Sequence, residues 1–135
     1  IAVEDVESAL PWTDLLVMVL PSTPRTAGAL SAERLALLPR RAVVVNVGRG
    51  ATVDQAALEA ALRSGAISGA GIDVTDPEPL PAGSTLWDAP NLLLTPHAAG
   101  GRVVGAVERI IANAAAVDAT PPGEPITGLE ALVAR

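Results

Sequence analysis

Four short apolar runs, each of four to six residues, set the strongest constraint on how this chain can fold. They are near-continuous rather than alternating in polarity, which is typical of parallel strands that are covered on both faces. Because parallel strands need long crossover connections, the pattern predicts βαβ units and one parallel sheet. The four predicted strands are residues 15–20, 42–47, 70–74 and 91–94.

The segments between the runs carry helical patterns, bounded by residues that start or stop helices. Ser31 is a typical capping residue, while Pro39 and Gly65 are stop signals. Apolar residues at helical spacing also mark the start of the chain and the stretch after the last strand. We therefore predict helices at residues 1–10, 31–38 and 54–64 and from residue 102 onward.

Composition narrows the chemistry that the chain could perform. It has no Cys and a single His, so disulfides, thiol nucleophiles and metal sites built from Cys or several His are excluded, and we expect no metal site. All nine basic residues are Arg and Tyr is absent, so the Tyr/Lys pair of many short-chain dehydrogenases is impossible. The remaining polar groups are Arg, Asp, Glu, Ser, Thr, Asn and the one His.

Charge and hydropathy exclude two classes of partner. The net charge is −6, the Arg residues are scattered, and the only aromatic residues are two Trp, so no nucleic-acid surface is expected. The longest apolar stretch, residues 103–117, is interrupted by Glu108 and Arg109, so no membrane span is expected. The chain starts without Met or a signal-peptide pattern, which indicates the middle or end of a longer cytoplasmic protein.

Ligands of open parallel sheets bind outside the carboxyl ends of the strands. The second run is followed there by Asn46-Val-Gly-Arg-Gly, which has half of a Gly-x-Gly-x-x-Gly phosphate loop but Val53 at the third glycine position. Alternatively, the glycines let the backbone pass close to a flat ligand, and Arg49 binds a carboxylate with two hydrogen bonds. A third possibility is a simple ion pair between Arg49 and Asp73.

Two further polar residues follow the third and fourth runs. Glu78 stands between Pro77 and Pro79, which restrict where it points, and His97 is the only histidine of the chain. Each alone has an ordinary explanation, a solvated acidic loop or a structural histidine. Together with Arg49 they supply an anion-binding group, a titratable group near neutral pH and a carboxylate that orients it.

Several sequence blocks, in their order and spacing, carry a resemblance to a known family. They are Asn46-Val-Gly-Arg-Gly, Gly71-Ile-Asp-Val-Thr-Asp-Pro-Glu-Pro-Leu-Pro, Leu86-Trp-Asp-Ala-Pro-Asn and Leu94-Thr-Pro-His-Ala-Ala-Gly, preceded by Leu20-Pro21 and Pro24-x-Thr26. Over residues 3–118 the chain closely resembles the D-isomer-specific 2-hydroxyacid dehydrogenases. The resemblance implies an oxidoreductase that transfers a hydride between NAD or NADP and a small 2-hydroxy or 2-keto acid.

The resemblance also implies an architecture and roles for individual residues. Residues 1–118 would be the second half of a Rossmann-like, doubly wound α/β domain, and residues 119–135 an irregular connection and a short tail. Arg49 would bind and polarise the substrate, Glu78 would assist, and His97 would be the acid/base. The matching cofactor-contacting positions are Leu20, Pro21, Thr26, Val47, Gly48, Arg49, Asp73, His97, Ala98, Ala99 and Gly100.

The chain departs from the family pattern in three respects. Thr75 replaces a common Phe, and Gly123-Glu-Pro is not followed by the usual segment. The first half of the family's sequence, with its Gly-x-Gly-x-x-Gly, is missing, so we expect a fragment that turns over no substrate and binds dinucleotide weakly by itself. The full-length protein would be a homodimer. A NAD-sensing relative without catalysis and a non-functional truncated product remain alternatives.

Overall fold

The computed structural model describes residues 3–100 and 105–121. In this part of the chain a four-stranded, all-parallel sheet has the order β1-β2-β3-β4. Each strand overlaps one of the predicted apolar runs, so the predicted α/β class and parallel sheet are confirmed. The strands are β1 (Leu15–Met18), β2 (Val43–Asn46), β3 (Gly69–Ile72) and β4 (Leu92–Leu94).

The pairing register aligns the last residues of all four strands. Met18 pairs with Asn46, Asn46 with Ile72, and Ile72 with Leu94. The chain therefore leaves the sheet at the same edge after each of the four strands. The loops that follow neighbouring strands are adjacent to each other. This alignment is what brings distant parts of the sequence to one site.

Helix α2 (Gln55–Ser64) covers the sheet and follows its predicted bounds closely. Asp54 caps its N-terminus by accepting a hydrogen bond from the Ala57 N–H, 3.0 Å, and Gly65 ends it with a φ of +66°. Leu58 and Leu62, one turn apart, are buried in the core. Burial of each such side chain contributes roughly 1.5–3 kcal/mol to folding.

Two other predicted helices are shorter or tighter than expected. Helix α1 (Ala32–Ala36) ends before the predicted residue 38, because the residue that precedes Pro39 is disfavoured in the helical conformation. The start of the chain forms 3₁₀ helices at Val3–Ser8 and Leu10–Trp12 rather than one regular helix. Pro11 lacks the N–H that a continuous helix would use there.

Helix α3 (Ala106–Ala119) belongs to a second unit of the chain, which is separated from the sheet unit after Ala99. Its described part confirms a helix after the fourth strand, although residues 102–104 lie outside the described residues. Among the described residues no helix is both long and apolar enough to cross a membrane. The tail predicted for residues 119–135 falls largely outside the described residues.

Strand β1 has a strand neighbour on one side only within the described sheet. The side chains of Leu15, Val17 and Val19 are 60%, 50% and 69% exposed, and the nearby Trp12 is 82% exposed. An uncovered apolar edge strand is a template for pairing with another chain.

We therefore expect the 135-residue chain to self-associate through β1. Val17→Lys should lower the association, because a lysine on an edge strand opposes edge-to-edge pairing. Light scattering over a concentration series measures this, with Leu37→Lys, at an exposed apolar position after α1, as the matched control. A wild-type chain that stays monomeric at every concentration would contradict the expectation.

Candidate active site

The loop after β2 is held by the buried side chain of Asn46. Its Oδ1 accepts a hydrogen bond from the Gly48 N–H, 3.0 Å, and its Nδ2 donates to the Arg49 carbonyl oxygen, 3.1 Å. The buried Thr52 hydroxyl donates to the same carbonyl, 2.6 Å. Sequence reasoning did not assign a role to Asn46, although an Asn two residues before a Gly is a signal for this kind of turn.

The two glycines of this loop are required by contacts with neighbouring backbone. A Cβ on Gly48 would lie 2.6 Å from the Leu20 carbonyl oxygen, and one on Gly50 would lie 2.1 Å from the Thr75 carbonyl carbon. The glycines therefore let adjacent strand-end loops pack together. From the sequence, a flat ligand is one expected reason for the two glycines. The structure shows a different reason, the close approach of neighbouring backbone.

The structure argues against a phosphate loop at these glycines. A 3₁₀ helix at Gly50–Thr52 follows them, and α2 begins only at Gln55. The N-terminal amides of α2 are capped by the Asp54 carboxylate, whose charge would repel a phosphate. The glycine pair thus does not form the start of a helix, as a dinucleotide fingerprint would.

The Arg49 side chain is exposed and keeps its charge available. Its Nη1 donates to the carbonyl oxygen of its own neighbour Gly48, 2.6 Å. Within residues 3–100 and 105–121, no carboxylate lies at ion-pair distance from Arg49, so the alternative of an Arg49–Asp73 pair is wrong. Across the same residues, no contact joins Arg49 directly to Glu78 or His97.

Asp73, at the end of β3, is bound by the loop that follows β4. Its Oδ1 accepts from the Thr95 hydroxyl and from the Ala98 N–H, 2.9 Å, and its Oδ2 accepts from the Ala99 N–H, 2.8 Å. The residue is 5% exposed. Burial raises the pKa of Asp73, but these hydrogen bonds, with a smaller contribution from the charge of His97, outweigh it and hold the pKa below the usual range.

These bonds hold His97 in an uncommon backbone conformation. Its φ is +54°, in the left-handed region that non-glycine residues rarely adopt, and its N–H donates to the Thr95 carbonyl oxygen, 3.1 Å. The two amides that follow His97 are the ones bound by Asp73. Asp73 therefore stabilises the turn that presents His97.

Glu78 and His97 are in direct contact, although 19 residues separate them. Glu78 Oε1 lies 2.9 Å from His97 Nδ1, and their side chains are 39% and 44% exposed. Because a carboxylate only accepts hydrogen bonds, Nδ1 carries a proton in this contact. Nε2 is then the ring nitrogen that carries no proton while the ring is neutral.

The remaining predicted cofactor-contacting positions include those that follow β1, at the carboxyl edge of the sheet. The Thr26 hydroxyl donates to the Pro21 carbonyl oxygen, 2.6 Å, and accepts from the Thr23 N–H, 2.9 Å, which closes the turn after Leu20. Val47 is partly exposed beside this turn, and its N–H donates to the Met18 carbonyl oxygen, 3.1 Å. The cofactor-contacting role predicted for these positions stays a prediction, as it does for Gly48 and Gly100.

A cavity of about 500 Å³ opens beside His97. Its apolar wall includes Leu80, Trp87 and Leu94, and its polar lining includes Glu78, His97 and Asp73. A mostly apolar cleft with a few convergent polar groups is the usual form of a small-molecule site.

A second cavity, of about 350 Å³, lies against β1 and α1. Its lining is apolar apart from Arg34 and includes Leu20 alone of the predicted site residues. It therefore does not share the chemistry of the His97 cavity. Among the described residues no group of three His, Cys, Asp or Glu side chains could hold a metal ion.

A parallel α/β sheet with polar groups at its carboxyl edge is the architecture of ligand-binding α/β domains, a class that includes the dinucleotide-binding domains of Rossmann type. Residues 1–99 match the family "D-isomer specific 2-hydroxyacid dehydrogenase, NAD binding domain". The chain therefore belongs to this family.

Individual relatives agree with this assignment. The chain is 40% identical over 125 residues to a glyoxylate/hydroxypyruvate reductase A from Salmonella newport, covering 93% of this chain and 39% of the relative. A D-isomer specific 2-hydroxyacid dehydrogenase from Xanthobacter autotrophicus Py2, solved with NADPH and MES, has a TM-score of 0.69 and 45% identity, covering 96% of this chain and 52% of that one. An NADPH-dependent glyoxylate/hydroxypyruvate reductase from Sinorhizobium meliloti, in apo form, has a TM-score of 0.68 and 39% identity, covering 76% and 54%.

The hydrogen bonds of Asp73 predict a pH-dependent contribution to stability. Since the pKa of Asp73 is lowered on folding, its contribution is present above the ordinary Asp pKa and is lost as pH falls through the lowered value. We expect Asp73→Asn to reduce the free energy of unfolding by roughly 1–3 kcal/mol at neutral pH. The difference between wild type and variant should shrink as pH falls below the ordinary Asp pKa of about 3.9.

Urea unfolding at several pH values measures this difference. Asp88→Asn, on the exposed 3₁₀ helix at Thr85–Asp88, is the matched control and should follow the wild type. If the difference in the free energy of unfolding between wild type and Asp73→Asn were constant with pH, the carboxylate charge would not contribute to stability.

Proposed function

We propose that this chain supplies the proton-transferring and carboxylate-binding half of the active site of an NAD(P)-dependent 2-hydroxyacid dehydrogenase. The observation that carries the proposal is the 2.9 Å contact of Glu78 with His97 at neighbouring strand ends, beside the cavity of about 500 Å³. Family membership supports the reaction class. The chain spans 39% of the length of its Salmonella relative, so the activity is proposed for a longer protein.

Arg49, His97 and Glu78 would each have a separate role in the reaction. Arg49 would hold the substrate carboxylate, which a guanidinium binds with two parallel hydrogen bonds, and would polarise the adjacent carbonyl group. His97 would give a proton from Nε2 to the carbonyl oxygen in reduction and take it back in oxidation. Glu78 stabilises the protonated ring through Nδ1. General acid–base help of this kind contributes roughly 10²–10⁴-fold to the rate.

The residues of this chain fit one end of a dinucleotide. When bound, NAD or NADP supplies the hydride in reduction or accepts it in oxidation. Among the described residues, the Ala99 N–H is the one donor to Oδ2 of Asp73, and Asp73 lines the cavity beside His97, where it would accept from a carboxamide donor. Val47 and Pro21 are exposed at the same edge of the sheet. The sequence contains no Gly-x-Gly-x-x-Gly for the pyrophosphate. The fit is thus to the nicotinamide end.

The names of the relatives suggest the substrate class. The Salmonella and Sinorhizobium proteins are named for glyoxylate and hydroxypyruvate, which are small 2-keto acids. A single guanidinium and a single acid/base group suffice for such substrates. We propose the same class here, for a full-length protein that is a cytoplasmic homodimer.

A chimera tests the proposal directly. The 125 residues that align with the Salmonella reductase would replace the corresponding segment of that protein, and NADPH- or NADH-dependent reduction of glyoxylate and hydroxypyruvate would be followed by absorbance. We expect turnover, and we expect His97→Ala to lower kcat by roughly 10²–10⁴-fold. Trp12→Phe, remote from the site, is the control. Near-normal turnover by His97→Ala would refute the acid/base role, and cofactor binding without any turnover would favour the NAD-sensing alternative.

Arg49→Lys in the same chimera tests the carboxylate site. A lysine keeps the charge but cannot form two parallel bonds to a planar carboxylate. We expect the KM for the keto acid to rise about tenfold or more, as for a loss of about 1.4 kcal/mol of binding. The Kd for the cofactor should change much less. Wild-type kinetics for this variant would remove Arg49 from the substrate site.

A further inference from the structure

The loop that carries Glu78 is exposed along most of its length. Residues 76–79 are exposed, and so is His97, with which Glu78 makes its contact. An ion pair between exposed side chains contributes little stability and does not fix a loop by itself. The position of Glu78 must therefore depend on other contacts of its loop.

One such contact holds the start of the loop. The Gln55 side chain accepts a hydrogen bond from the Asp76 N–H at Oε1, 3.1 Å, and donates from Nε2 to the Asp76 carbonyl oxygen. A side-chain amide thus pairs with both polar groups of one backbone residue. Gln55 stands on the first turn of α2, so the rigid helix fixes the backbone two residues before Glu78.

A second contact holds the end of the loop. The Trp87 indole Nε1 donates to the Pro81 carbonyl oxygen, 2.9 Å, three residues after Glu78. The 3₁₀ helix that carries Trp87 is itself bound to α2: the Thr85 hydroxyl donates to Glu59 Oε2, 2.7 Å, and Arg63 Nη2 donates to the Thr85 carbonyl oxygen, 2.9 Å. Both ends of the loop therefore depend on α2.

We propose that Gln55 and Trp87 are positioning residues for the acid/base pair. By fixing the backbone on either side of Glu78, they keep its carboxylate on Nδ1 of His97 and hold the neutral ring in the Nδ1–H tautomer. Nε2 then remains the proton acceptor. The catalytic consequence rests on the function proposed above, but the tautomer is a property of this chain alone.

The single histidine makes the tautomer measurable without ligands. Long-range ¹H–¹⁵N NMR correlations of the 135-residue chain, recorded at about pH 9, report which ring nitrogen carries the proton. Glu78→Ala sets the reference for a lost contact. Gln55→Leu removes both hydrogen bonds to Asp76 at similar side-chain volume, and Trp87→Phe removes one N–H and keeps an aromatic ring.

Two substitutions serve as matched controls. Trp12→Phe makes the same chemical change at an exposed tryptophan outside the site. Ser64→Ala changes the last turn of α2, where the hydroxyl bonds only to the helix carbonyls of Ala60 and Ala61. Both should keep the wild-type tautomer ratio.

We expect the ratio of Nδ1–H to Nε2–H tautomer to fall up to about fivefold in Glu78→Ala, as for the loss of an exposed charged contact. Gln55→Leu and Trp87→Phe should shift the ratio in the same direction. Gln55→Glu keeps the acceptor for the Asp76 N–H and loses the donor, so it should lie between wild type and Gln55→Leu. A wild-type ratio in both folded Gln55→Leu and Trp87→Phe would overturn the proposal.

The outcome is independent of the proposed enzyme activity. If Gln55→Leu unfolds, Gln55→Glu and Trp87→Phe decide the question, because each removes only one donor. A shifted tautomer together with an inactive chimera would refute the proposed function and leave the positioning role intact. An active chimera together with an unshifted tautomer ratio would refute the positioning role and leave the proposed function intact.

Discussion

The alignment of four parallel strands at their carboxyl ends is the constraint on which the site depends. Because Met18, Asn46, Ile72 and Leu94 are in register, residues up to 76 positions apart in sequence leave the sheet side by side. Close packing of the resulting loops then requires glycine at the contact points. Gly50 shows this most clearly, since a Cβ there would overlap the Thr75 backbone. The site is thus a consequence of sheet geometry first and of individual polar residues second.

A buried charge stabilises the part of this edge that departs most from regular geometry. The turn at His97 combines a positive φ with an exposed side chain, so neither burial nor backbone preference favours it. Asp73 compensates by accepting hydrogen bonds from two backbone N–H groups and one hydroxyl group of that turn. Strain at a functional residue is thereby offset by hydrogen bonds to an ionised group, which are stronger than bonds between neutral groups.

Some of these features could be predicted from the sequence and others could not, for physical reasons. Apolar runs and helix caps are local signals, so the strands and the bounds of α2 follow from them. The contact of Glu78 with His97 followed from placing each residue at a strand end. The double hydrogen bond of Gln55 to Asp76 and the bonds of Asp73 to Ala98 and Ala99 join side chains to backbone across 21 to 26 residues. No spacing rule encodes such bonds, and composition does not reveal them.

The hydrogen bonds described above for Glu78, His97 and Asp73 join residues of the sheet unit. Glu78, His97, Asp73 and their supporting residues lie within residues 1–99, the same range that matches the family. In the proposed reaction, the groups that would handle the proton thus have their described hydrogen bonds within one compact unit of this chain. Arg49 differs, because among the described residues its guanidinium bonds only to the carbonyl oxygen of Gly48 in its own loop and is exposed. In the proposed reaction, proton transfer would thus be organised by hydrogen bonds already present in this chain, whereas carboxylate binding would depend on a side chain whose final position the substrate itself would determine.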